Sequence, residues 1–273
     1  MSRSLYNWLY RDTLSSRGRT ALLFGGIVVL VAAVGGGAWY YFHAKAVEKE
    51  EQARIAAAAL QQKRTNIHNF YASALKGGDM QGFIGLYTEI LRSRQPIELS
   101  GFREDSFSCT TDNCSFSYLA GENTVFSVQD KRFRGEDYAP SFSQESVDYI
   151  GIPSGMDSNP VLEAFNRQEK ISEPTCNDIL NYMYSYNSLV EAGQRFTLKK
   201  LPASSVSADE ESLPGNPDNH GLLSGEWEVS LSDNYVSVHG FWLNKPYSSS
   251  FIFQSVAGKK GILDISGTFL CKK

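Results

Sequence analysis

The sequence predicts an α+β protein: a single N-terminal transmembrane helix, a helical stalk, and an exported domain of two helix-plus-antiparallel-sheet halves stapled by disulfides. Three observations predict it. Residues 21–42, ALLFGGIVVLVAAVGGGAWYYF, are 22 consecutive residues without a charge. Behind them, a helical pattern followed by short strand-like segments occurs twice, so helices and strands are segregated rather than alternating. All four cysteines lie beyond the apolar run.

A chain of 273 residues can bury one or two cores, at about 100–200 residues per domain. Its 26 basic and 30 acidic residues leave a net charge of -4, with none of the basic excess that nucleic-acid binding demands. Phe and Tyr dominate an aromatic share of 12%, which favours strand-rich packing.

The apolar run comes first. A helix rising about 1.5 Å per residue needs about 20 residues to cross a hydrocarbon core of about 30 Å, and this run is long enough. Trp39, Tyr40 and Tyr41 close its C-terminal end as an aromatic belt does. Arg3, Arg11, Arg17 and Arg19 precede it against the single acid Asp12, and AKAVEKEE follows it. That Arg excess places the tail, 1–20, in the cytoplasm and everything after 42 outside. A cleavable signal peptide is the alternative, with Ala44-Lys45-Ala46 as a weak cleavage site. An apolar run this long exceeds the usual ~7–15 residues and favours an uncleaved anchor. Within it Gly25, Gly26, Ala33 and Gly37 offer small residues near four-residue spacing, a surface on which two helices can approach closely. In the tail, Leu5, Trp8 and Leu9 have the spacing of a short helix lying on the membrane surface.

Residues 43–76 continue as helix, rich in Ala, Glu, Gln, Lys and Arg and free of Pro and Gly, and read as a stalk. Ile55, Ile67 and Phe70 lie on a thin apolar stripe suited to loose coiled-coil pairing.

The first exported half spans 79–172. Asp79 caps a helix whose Met80, Phe83, Ile84, Tyr87, Ile90 and Leu91 share one face. Strand-like pieces follow in PIELSGF, SFSCTT, CSFSYLAG and NTVFSVQ, and TTDN between two of them is turn chemistry. The second half spans 173–273. Thr175 and Asp178 have the spacing of a capping box, and Ile179, Met183, Tyr186 and Val190 run down one face to Gly193. Strands are then expected in RFTLKKL, GEWEVSLS, YVSVHGFWL, SSFIFQSV and GILDISGTFLC, with 202–221 as a mobile loop. Ferredoxin-like halves are one form this pattern allows; a single larger sheet is another.

Four cysteines permit three pairings. Proximity across a turn favours Cys109–Cys114, which leaves Cys176 with Cys271. Structural zinc calls for tighter paired spacing, and a redox pair for C-x-x-C opening a helix; C-x4-C across a polar turn is neither. Staples of this kind persist in an oxidising compartment such as the bacterial periplasm. His43, His68, His220 and His239 are scattered, and no catalytic or phosphate-binding motif occurs. Asp105, Asp112, Asp148, Asp157, Glu226 and Asp264 show no readable pairing. No catalytic, cofactor or metal residue is assigned, and a non-enzymatic role is expected.

PIELSGFREDSFSC followed by CSFSYLAGENTVFSV, with SGEWEVSLSDNYVSVHGFWLNKP and GILDISGTFLC near the end, resembles the PilO-type accessory proteins of type IVb pili. These belong to the wider class of inner-membrane assembly-platform subunits of type IV pilus and type II secretion machines. The resemblance covers 95–130 and 222–271. It implies a non-enzymatic bitopic scaffold in the bacterial inner membrane, with its N-terminus cytoplasmic and its C-terminal domain periplasmic. Such a subunit pairs as a homo- or hetero-oligomer and docks other platform subunits. It uses the lipid bilayer, but no cofactor, nucleic acid or small-molecule substrate. Members carry a longer cytoplasmic domain than the 20 residues found here, so contact with a cytoplasmic ATPase is not implied. Phe241, Trp242 and Phe251 are the candidate docking aromatics. Two other readings remain open. A subunit of a conjugation or type IV secretion channel shares the tail, anchor and α+β domain; it is marked by a concave sheet wrapped by helices and usually lacks disulfides. A periplasmic ligand-binding or sensor module needs an apolar pocket with convergent polar groups.

Overall fold

A computed structural model describes residues 16–121, 129–143, 146–213, 220–242 and 247–273, with side chains at all of these except 16–24, 27–28 and 242. The tail segment bearing Leu5, Trp8 and Leu9, and most of the strand expected at 123–129, lie outside the described residues. The chain forms two compact units, 1–62 and 63–273.

Helix α1, Ser16–Leu75, runs through the first unit and ends in the second. In the first unit every described side chain, from Gly25 to Gln62, is exposed. Among the described residues no helix is long and apolar enough to cross a membrane. Positions 21–24 and 27–28 of the apolar run are outside the described side chains.

The second unit is built on one antiparallel sheet of eight strands, in the order β5-β6-β2-β1-β9-β10-β8-β7. In chain order its elements are α2 (Met80–Leu99), β1 (Phe102–Thr110), β2 (Asn113–Ala120), a small ribbon of β3 (Lys131–Phe133) with β4 (Glu136–Tyr138), β5 (Ser141–Phe142), β6 (Ser146–Pro153) and α3 (Pro160–Asn166). Then come α4 (Cys176–Leu189), β7 (Thr197–Ala203), α5 (Ser207–Glu211), β8 (Leu222–Ser232), α6 (Tyr235–Trp242), β9 (Phe251–Lys259) and β10 (Ile262–Lys272).

Both main helices start where the sequence signals them. The Asp79 carboxylate accepts from the Gly82 N–H at 2.7 Å, satisfying one of the free donors of the first turn of α2. Thr175 and Asp178 form a reciprocal capping box at the start of α4. Because side chains alternate along a strand, one sheet face collects Phe107, Phe116, Trp227, Val229, Phe253, Ile265 and Phe269 against Phe83, Tyr87 and Ile90 of α2, Ile179 and Met183 of α4, and Val238 and Phe241 of α6. A second, smaller cluster gathers Leu222 and Leu270 with Ile67, Tyr71 and Leu75 of α1, Phe165 of α3 and Val206 and Leu213 around α5. Leu270 alternates with Phe269 and Cys271, so the second cluster lies on the opposite sheet face.

The structure decides one point that the sequence left open and corrects four expectations. The two halves, 79–172 and 173–273, share one sheet: β1 of the first pairs with β9 of the second from Ser106↔Lys259 to Thr110↔Ser255. All neighbouring strands of that sheet are antiparallel, and it runs without a break through both expected halves. The stalk expected over 43–76 ends early, because Ile67, Tyr71 and Leu75 recur at helical spacing and are buried. PIEL, expected as strand, is the last turn of α2, which runs through Pro96 with Ile97 buried. YVSVHGFW, expected as strand, is helix α6. The Asn234 side chain accepts from the Ser237 N–H at 2.8 Å, and Val238 and Phe241, three apart, reach the core together. Local capping outweighs the strand preference of Tyr and Val there. Finally, the loop expected to be mobile over 202–221 begins with the last residues of β7, carries α5, and buries Val206, Glu210 and Leu213; its residues 214–219 lie outside the described ones.

Candidate functional site

The cysteines pair as Cys109–Cys114 and Cys176–Cys271, and no cysteine is free. Cys109 and Cys114 are directly opposed across the β1–β2 hairpin. The second bridge ties the start of α4 to the last strand, beside a Lys272 N–H bond to the Pro174 carbonyl at 2.8 Å.

Two of the three docking aromatics, Phe251 and Phe241, are core residues. Phe251 is fully buried, with ring centroids 5.7 Å from Phe196 and 5.8 Å from Trp227. Phe241 is buried against Tyr186 and Phe196 at 5.2 and 5.3 Å. Both stand on the core side of their element, where removal from water is the stronger driving force. Trp242's side chain lies outside the described residues. Of the pairing candidates, Gly25, Gly26, Ala33, Gly37 and Ile55 are exposed. Ile67 is a core residue and so not available to a stalk partner, and Phe70 packs half-buried against the same cluster.

The least expected feature is a polar chain inside the second unit. Lys131, only 1% exposed, stands among aromatic rings, its Nζ 4.2 Å from the Phe116 centroid and 5.1 and 5.9 Å from those of Tyr118 and Tyr149. Its Nζ donates to the Tyr118 hydroxyl at 2.8 Å and to the Ser93 carbonyl at 3.3 Å. Tyr118 donates onward to Glu104 Oε2 at 3.1 Å. Arg94 Nη2 then bridges Glu104 at 2.7 Å and Asp233 at 2.9 Å, and Tyr87 donates to Asp233 at 2.8 Å. The chain thus links β3, β2, β1, α2 and the turn before α6. Arg94 Nε has no acceptor among the described residues.

Burial sets the electrostatics. It pulls the Lys131 ammonium down to about 7, only partly opposed by the charge of Glu104. It pushes the Glu104 carboxyl up, with Arg94 holding it back, and raises the Tyr118 hydroxyl above its ordinary value, as does the neighbouring Glu104 charge. These directions follow from the cost of charge in a low-dielectric interior.

Lys131 also lines a cavity of about 680 Å³ between α2 and the β3–β4 ribbon. Ile97, Phe102, Val147 and Tyr149 supply apolar and aromatic wall, and Arg92 and Arg132 are exposed cations of its lining.

Sequence reasoning missed this cluster. Lys131 sits in DKRFRGED, a charge run that reads as solvated; the available signal was strand alternation, which puts it on the face of buried Phe133. The carboxylates singled out from sequence do not converge. Asp112 pairs with Lys76, Glu226 with Lys200, Asp148 accepts from Ser117 and Ser146, and Asp264 accepts from Ser230. Among the described residues no group of three or more His, Cys, Asp or Glu could hold a metal ion.

Compared with known proteins, the chain matches no family model, no curated protein and no solved structure.

Proposed function

We propose that this chain is a non-enzymatic bitopic scaffold of a bacterial inner membrane, anchored by residues 21–42, that pairs through anchor and stalk and docks partners with its disulfide-bonded domain. The observation that carries the reading is the change of exposure along α1. Every described side chain from Gly25 to Gln62 is exposed, including Val29, Leu30, Val31, Val34 and Trp39, whereas Ile67, Tyr71 and Leu75 are buried. An uncovered helix with apolar residues all round is not stable in water. Lipid is the cover that suits a 22-residue uncharged run preceded by arginines. The following segment, with Val47, Ile55 and Leu60 exposed, calls for a second helix.

The type IV pilus or type II secretion platform is the machine to which the sequence resemblance points, and the two disulfides agree with a periplasmic domain. A conjugation or type IV secretion channel is the second reading. One continuous sheet with helices on both faces favours it; the disulfides weigh against it.

Cross-linking in the native envelope, with mass spectrometry of the products, tests both. Pilin, platform or secretin-linked proteins among the cross-links support the first machine, and conjugation-channel subunits the second. Extraction at alkaline pH tests the anchor: full-length chain in the membrane pellet is expected, and a soluble product starting near residue 47 overturns it.

A further inference from the structure

We infer that the groove where the last turns of α1 meet the β7–α5 segment is a binding site for a short neutral oligosaccharide. Binding there requires nothing of the anchor or of any assembly partner.

The fold lines this groove from three sides: Asn69, Phe70 and Ser73 come from α1, Ser205 from the connection after β7, and Ser224 and Gln254 from the sheet. Its volume is about 540 Å³, within the roughly 300–1,000 Å³ of small-ligand sites. The β7–β8 pairing passes from Lys200↔Glu226 to Ala203↔Ser224, three steps along β7 against two along β8. The extra residue is a bulge, which bends the edge strand beside the groove.

The polar groups of the lining are accessible and largely unspent. Asn69, Ser73 and Ser205 are exposed and Ser224 is half-buried, and none of these side chains makes a hydrogen bond among the described residues. Gln254 is held in place, its Nε2 donating to the Ser73 and Lys76 carbonyls at 3.4 and 3.1 Å. Two carbonyl acceptors fix which end of the amide is which. Its Oε1 is thereby left as an acceptor without a donor among the described residues.

Sugar hydroxyls match this set. Each one both donates and accepts, so it meets amide, hydroxyl and carbonyl oxygen alike. A site built of hydrogen-bonding side chains selects ligands that bear the matching hydroxyls. Phe70, half-buried in the same lining, adds an aromatic surface for the C–H face of a pyranose ring. The charged members of the lining are already matched: Lys200 pairs with Glu226 at 3.4 Å, and Asp209 accepts from Asn66 at 3.3 Å. One cation against two carboxylates leaves no positive excess to draw an anion, so the ligand is neutral.

A peptide strand is the competing occupant, because β7 is an edge strand. Pro202 removes a backbone donor from that edge, Lys199 and Lys200 charge it, and two register shifts break its repeat. These are the devices by which an edge refuses an added strand.

The test is calorimetry on the full chain in lipid nanodiscs, with empty nanodiscs as the blank, titrating triacetylchitotriose, cellotriose and maltotriose. Saturable binding of at least one of them, with Kd below about 10 mM, is expected. The anionic trigalacturonate should bind several-fold more weakly than the best neutral sugar. Asn69→Ala, at an exposed helical position that suits alanine, should weaken binding by about tenfold. Ser73→Arg, which puts a bulky side chain into the groove, should abolish it. Both variants should unfold thermally as the unaltered chain does. No saturable binding by any of the three sugars up to about 10 mM, equal affinity for trigalacturonate, or unchanged binding in either variant would overturn the assignment. So would tighter binding of an acetylated and amidated threonine–valine pentapeptide than of any sugar, lost in Ser73→Arg, which would give the groove to an added strand.

Discussion

The Tyr71 hydroxyl donates to the Glu210 carboxylate at 2.7 Å, joining the last turns of α1 to a segment whose composition reads as a loose loop. Glu210 is 3% exposed and also accepts from the His220 and Gly221 N–H groups at 3.2 and 3.4 Å. Three donors converge on one buried carboxylate, and the polar 202–221 stretch is anchored at its middle.

Tyr71→Phe should therefore destabilise the second unit by about 1–3 kcal/mol, the cost of removing one donor from a buried charged acceptor. Urea denaturation with disulfides intact reads the loss. Faster proteolytic cleavage within 202–221 than at other loops should accompany it; uniform cleavage would mean that the contact does not hold the segment.

Lys131→Met should stabilise the protein at neutral pH by roughly 1–3 kcal/mol, since a hydrophobic side chain replaces a buried charge. The sign follows from linkage. The lysine's value falls from 10.5 in the free side chain to about 7 in the fold, so between those pH values the unfolded chain binds the extra proton and stability rises with pH. Below about 7 the penalty is fully present. The advantage of the variant should be largest there and fade by about pH 10.5. A stability difference that does not change with pH would show that Lys131 is not the titrating group.

The two disulfides should differ in weight. Cys176–Cys271 spans a sequence separation of 95, and Cys109–Cys114 one of 5. Loop-closure entropy gives about 4–5 kcal/mol for the long span and about 2 kcal/mol for the short one. Paired Cys→Ser variants compared by thermal unfolding should keep that order.

Ile55→Asp and Ile67→Asp separate stalk from core. Ile67 is 1% exposed and Ile55 64%. A carboxylate at 67 is buried without a partner and should cost about 4 kcal/mol or more, whereas at 55 the melting temperature should stay within about 0.5 kcal/mol equivalent. Under the pairing proposal Ile55→Asp should still weaken self-association in analytical ultracentrifugation; an unchanged dimer would place the seam elsewhere.

Gly267 is a steric requirement of the sheet. It stands where the β9–β10 register shifts, and a Cβ there would run into the Ile252 carbonyl oxygen. Gly267→Ala should cost about 1–3 kcal/mol through overpacking against backbone that cannot move aside. Gly85→Ala, on the exposed side of α2 with nothing near its Cβ position, is the control and should be neutral or slightly stabilising.

What the sequence determined by itself was local. The caps at Asp79 and Thr175 act within three residues, and period-two alternation marks β2, β8, the end of β1 and the start of β10. The Cys109–Cys114 bridge follows from a short polar turn, and with the other two cysteines paired by elimination the whole disulfide pattern was legible. Tertiary structure decided the rest. Pairing of β1 with β9 joins segments about 150 residues apart, a choice that register and shared burial make and no local pattern announces. Helix α6 overrides its strand-like composition because Asn234 caps it and Val238 and Phe241 find the core at helical spacing. Lys131 became a buried cation only because Phe116, Tyr118 and Tyr149, on two other strands, close around it. A charge run on paper is a solvated surface until long-range packing removes the water from one of its members.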